Sequence, residues 1–138
     1  MSTVNVHAIP FFVTPSHRND LYRDLDELRA LFDAALPFFG SNAMHHVVIF
    51  PELWVYGFLG QEEDPQMLMR EIAKSFEDYT AVARSVAQEY GITFMAGTFP
   101  RWSGTGQLFN TAILATPDGN VRVQANLVLT PDEIRWRL

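Results

Sequence analysis

The run Val47-Val48-Ile49-Phe50, followed at once by Pro51 and Glu52, constrains the fold more than any other stretch of the chain. Three β-branched residues and an aromatic in succession suit a strand, and four consecutive apolar side chains predict one buried on both faces. Pro51 has no N–H to give to a sheet ladder, so the strand stops there. Glu52 is thereby delivered just past the carboxyl end of a buried strand, among Phe50, Leu53, Trp54 and Tyr56. In an open α/β sheet that is where functional groups collect, and apolar surroundings raise a carboxyl pKa toward the range of a general base. The alternative is that Glu52 only caps the turn that follows.

The rest of the chain arranges itself around this strand. Residues 4–13 alternate and then run apolar, predicting a first strand closed by Thr14-Pro15-Ser16. Leu21, Leu25, Leu28, Phe32 and Ala35 then recur at helical spacing, with Asn19 or Asp20 as cap and Pro37 and Gly40 as terminators. His45 and His46 are expected in the loop before the buried strand. An acidic loop, Gln61-Glu62-Glu63-Asp64, leads into Pro65, which suits a first helical position with Asp64 as N-cap. One long second helix is expected next. Its stripe is Met69, Ile72, Ala73, Phe76, Thr80, Ala83, Val86, Ala87 and Tyr90, and Gly91 ends it as the C′ glycine.

Three strands follow, over residues 92–99, 108–115 and 121–129. Thr116-Pro117-Asp118-Gly119-Asn120 makes the last two a hairpin, because Pro fixes φ and Asp-Gly accommodates the reversal. The expected order is β-α-β-α-β-β-β in a single α/β domain over residues 1–138. Its crossovers put both helices on one face of a sheet that the terminal meander extends.

Composition narrows the chemistry. A formal net charge of −6 without a basic cluster argues against nucleic acid or an anionic membrane as partner. Apolar runs stay well short of the ~18 residues that span a bilayer, so a soluble, cytoplasmic protein is expected. The sequence holds no cysteine, which removes thiolate metal sites and thiol nucleophiles, and its four histidines lack the spacing of a metal site. No metal and no cofactor are expected.

Three motifs in register resemble the N-terminal half of the nitrilase, or carbon–nitrogen hydrolase, superfamily. Phe50-Pro51-Glu52-Leu53 with Tyr56-Gly57 resembles the first motif of that family, whose Glu is the general base. Ala96-Gly97, Phe109-Asn110-Thr111-Ala112 and Pro117-Asp118-Gly119 resemble the strand pair ahead of the second motif. Leu127-Val128-Leu129-Thr130-Pro131-Asp132-Glu133 resembles the second motif itself, Lys-x-x-Leu-x-Pro-x-Glu.

The resemblance implies half of a four-layer α-β-β-α sandwich and hydrolysis of a small amide or nitrile through a Glu-Lys-Cys site. It implies that Glu52 is the general base and Glu133 a supporting carboxylate. Asn126 stands at the family's Lys position, where an amide offers a hydrogen-bond donor but no charge to an oxyanion. The family's nucleophilic Cys lies beyond the second motif, so the chain reads as truncated before that region and inactive alone. A second expectation, favoured by Asn126, is a catalytically dead binding or assembly subunit. Either way the inward sheet face calls for cover, from a homo-oligomer or a separate C-terminal half. Trp54 and Tyr56 are candidate substrate contacts, with core packing as the alternative. Arg101, Trp102 and Ser103-Gly104-Thr105-Gly106 read either as a pocket rim or as a flexible hairpin connection.

Overall fold

β-branched and aromatic residues concentrate in segments that pair edge to edge, and helical periodicity marks the segments between them. The computed structural model describes residues 4–8, 29–35, 37, 45–50 and 64–126. Within these, β1 (Val4–Ala8), β2 (His45–Ile49), β3 (Thr93–Trp102), β4 (Leu108–Ala115) and β5 (Val121–Ala125) form one sheet in chain order. β1, β2 and β3 are parallel, whereas β3, β4 and β5 form an antiparallel meander. Helical crossovers separate the parallel strands, as parallel pairing requires. α1, helical over residues 29–35, lies between β1 and β2 in the chain, and α2 (Pro65–Ala73) and α3 (Phe76–Tyr90) lie between β2 and β3.

Two caps act as their residue types predict. The Asp64 carboxylate accepts from the backbone N–H of Gln66 at 2.9 Å, with Pro65 opening α2. Gly91 closes α3 in the left-handed region at φ 62°.

The single long helix expected over this region is instead two. Lys74 and Ser75 donate their backbone N–H groups three residues back, to Glu71 and Ile72, at 3.2 and 2.9 Å. This tightening ends α2, and the helix restarts at Phe76. The apolar stripe hides the break because both pieces bury the same side. Met69, Ile72 and Ala73 from α2 and Phe76, Tyr79, Ala83, Val86 and Ala87 from α3 are all buried.

The second strand also differs from its expectation. His45 and His46 are not loop residues but the first two residues of β2, paired with Val4 and Asn5 of the parallel neighbour. Nor is β2 buried on both faces: Val48 and Phe50 are buried, while Val47 and Ile49 are half-buried. All three helices lie on the side of Val48, Phe50, Phe94, Ala96, Ile113 and Ala115, where the core gathers. Three apolar residues at alternating positions on the opposite face stay open: Val4 at 55%, Val6 at 61% and Met95 at 38% exposure.

A bulge decides which β3 residues reach the core. Met95 pairs with Leu114 and Thr98 with Ala112, so β3 carries one extra residue there, and Gly97 sits at φ 71°. The extra residue flips the alternation, placing Phe99 on the same face as Phe94 and Ala96. Phe99 then stacks on Tyr79 with ring centroids 4.5 Å apart, and Arg101 lies 5.0 Å above the Phe76 ring. The buried Tyr79 hydroxyl donates to the Ala96 carbonyl at 2.9 Å, tying α3 to the bulge.

Candidate active site

Strand direction brings several predicted motifs to one edge of the sheet. β1, β2 and β3 end where β4 begins and β5 finishes, so the carboxyl edge of the parallel strands carries Phe50, Asn110 and Asn126. In open α/β sheets this is the edge at which ligands bind.

Phe50 is held there from two sides. Its backbone N–H donates to the Met95 carbonyl at 2.9 Å. Its ring stacks on Phe32 at 5.8 Å and meets Phe94 edge-on at 5.0 Å, and it is 3% exposed. Sequence position thus starts Glu52 two residues beyond a fixed anchor. Glu52 itself, Trp54, Tyr56 and Glu133 lie outside the described residues. Asn126 lies within them. Its backbone N–H donates to the Asn110 carbonyl at 2.8 Å, continuing the β4–β5 ladder one residue past β5. That register puts Asn126 opposite the buried Asn110, on the sheet face away from the helices.

The Ser103-Gly104-Thr105-Gly106 segment is both of the things expected of it, a hairpin connection and a rim. Ser103 donates its N–H to the Gln107 carbonyl at 2.7 Å, and its hydroxyl accepts from the N–H groups of Thr105 and Gln107 at 3.2 and 3.0 Å. The turn so formed faces α2 across an open groove of about 320 Å³, lined by Gln66, Arg70, Trp102, Thr105, Gln107 and Leu108. Sequence reading did not single out Gln66, Arg70 or Gln107. The only available signal was the i, i+4 spacing of Gln66 and Arg70, which sets them on one face of a helix.

Among the described residues the perturbed ionisable groups lie elsewhere. Burial, reinforced by donation to the Asp33 carboxylate at 2.8 Å, pushes the Tyr90 hydroxyl up to about 12. The Thr116 hydroxyl, followed by the Asn120 backbone N–H, holds the Asp118 carboxyl below its ordinary value in the β4–β5 turn. Among the described residues no group of three or more His, Cys, Asp or Glu is placed to hold a metal ion. No described helix is long and apolar enough to cross a membrane.

Comparison with known proteins agrees with this arrangement. The chain is 26% identical over 98 residues to the protein named Probable hydrolase YhcX of Bacillus subtilis (strain 168), covering 70% of this chain and 19% of that protein. A solved N-terminal amidase superposes with a TM-score of 0.66 at 14% identity, over 96% of this chain and 29% of the amidase. A carbon-nitrogen hydrolase from Helicobacter pylori G27 does so with a TM-score of 0.69 at 15% identity, over 97% of this chain and 43% of that one. The chain therefore spans less than half the length of each, and the structural likenesses establish a shared mixed α/β fold. The family profile described as Carbon-nitrogen hydrolase matches residues 24–134, most of the sequence, and on that match the chain belongs to the carbon–nitrogen hydrolase family.

Proposed function

We propose that this chain contributes the base-bearing portion of a hydrolase site that cleaves a carbon–nitrogen bond in a small amide or nitrile. The observation that carries the reading is the convergence of Phe50, which anchors the segment leading to Glu52, and Asn126, at the family's Lys position, on the carboxyl edge of one sheet. Family membership and the Phe-Pro-Glu motif support it.

In this scheme a thiolate from outside residues 1–138 attacks the amide carbon. Glu52 passes a proton to the departing nitrogen, leaving a thioester, and then takes a proton from the water that hydrolyses it to the acid. Glu133 supports Glu52, and Trp54 and Tyr56 line the substrate side. Asn126 can donate one hydrogen bond to the developing oxyanion but adds no positive charge. The open sheet face supports a covering partner, a second copy or a cysteine-bearing C-terminal half.

Ammonia release tests the scheme. The purified chain is expected to release none from small amides or nitriles, and combination with a cysteine-bearing second half is expected to start release that Glu52→Gln removes. Asn126 favours a second reading, a binding or assembly subunit of the same family. Silence of the combined halves, even with Asn126→Lys, would select that reading.

A further inference from the structure

We propose that the groove between α2 and the β3–β4 hairpin binds a small planar monocarboxylate. This goes beyond the hydrolase reading and does not rest on it.

The argument begins with Arg70. It is exposed on α2 and projects one helical turn beyond Gln66, and both line the groove. Two other arginines among the described residues are engaged, Arg29 with Glu89 at 3.5 Å and Arg101 over the Phe76 ring, and of the described arginines Arg70 is the one that lines this groove. No acidic residue among the described ones pairs with Arg70, although the sequence has 16 acidic against 10 basic residues. A guanidinium at the mouth of a groove offers a planar fork of donors that matches a carboxylate in two-point contact.

The remaining walls define what the carboxylate is attached to. Trp102 presents part of its ring at 38% exposure, and Leu108, 4% exposed, backs the groove with aliphatic surface. Together they favour a flat apolar body lying against the indole. The amides of Gln66 and Gln107 and the Thr105 hydroxyl add neutral donors and acceptors at the rim. One cation in a chain of net charge −6 suits a monoanion, whereas a phosphate dianion calls for more positive charge. The volume of about 320 Å³ admits a single ring with a short acidic substituent.

Calorimetric titration of the purified chain with benzoate, benzamide and phenyl phosphate tests the proposal. Benzoate is expected to bind saturably and at least about tenfold tighter than benzamide, the difference a charge-assisted contact makes. Arg70→Gln is expected to bring benzoate down to the benzamide level. Arg84→Gln, an exposed change on α3, is expected to leave binding intact. Trp102→Phe provides a second variant: it is expected to weaken both ligands and to remove the fluorescence change caused by benzoate, while the other tryptophans remain. Absence of saturable benzoate binding, equal affinity for benzamide, tighter binding of phenyl phosphate, or an Arg70→Gln variant that binds normally would each overturn the assignment.

Discussion

Replacing Gly97 with Ala sets two costs against each other, and their sizes decide the outcome. Gly97 sits at φ 71° within the β3 bulge, where a side chain costs about 1–2 kcal/mol. The variant could escape this by ironing out the bulge. That would turn Phe99 to the face away from the helices, forfeiting its burial, about 1.5–3 kcal/mol, and its stack on Tyr79, about 0.5–1.5 kcal/mol. Closing the bulge costs more than tolerating the strain, so Gly97→Ala is expected to keep the fold and lose about 1–2 kcal/mol. In urea unfolding followed by tryptophan fluorescence, this lowers the midpoint by roughly 0.5–1 M with an unchanged slope. Gly104→Ala is the control, since an added Cβ there meets nothing within 4 Å and no positive φ is involved. A Gly97→Ala midpoint indistinguishable from that of Gly104→Ala would refute the argument that the bulge depends on glycine.

Other consequences can be checked on the same protein. The Tyr90 hydroxyl is raised from about 10 in the unfolded chain to about 12. Its stabilisation is therefore full below pH about 10 and lost as pH rises toward about 12. The stability gap between the chain and Tyr90→Phe should shrink across that window, and a constant gap would count against the Asp33 contact. Asp118 has the opposite sign. Its depressed carboxyl pKa stabilises the β4–β5 turn above the unfolded value of about 3.9 and ceases to do so as pH falls. Acid melts of Asp118→Ala should consequently show less pH dependence than the unchanged chain. The open sheet face with Val4, Val6 and Met95 should drive association in sedimentation velocity, and Val6→Glu should shift the distribution toward monomer. A monomer for the unchanged chain at micromolar concentration would show that the face needs no partner.

Much of the architecture was legible from local chemistry. Asp64-Pro65 and Gly91 marked helix ends because a capping carboxylate, a fixed φ and a left-handed glycine act through immediate neighbours. Leu108–Ala115 and the Asp118-Gly119 turn were readable for the same reason, and the family motifs placed the candidate base and the Lys-position Asn126 without coordinates. The parallel run of the first three strands followed from the helices that alternate with them.

What tertiary structure alone decided depends on residues distant in the chain. His45 and His46 joined β2 because β1 lay alongside to pair with them, which no property of a His-His pair predicts. The long helix broke at Lys74-Ser75 while its apolar stripe ran on, since periodicity records which side is buried and not whether the hydrogen-bond ladder is continuous. The β3 bulge left only a glycine as its trace, yet it chose the face on which Phe99 and Arg101 lie. The groove brings Arg70 on α2 toward Trp102 and Gln107 at the β3–β4 hairpin. Their separation in sequence hides a proximity that packing α2 beside the end of β3 creates.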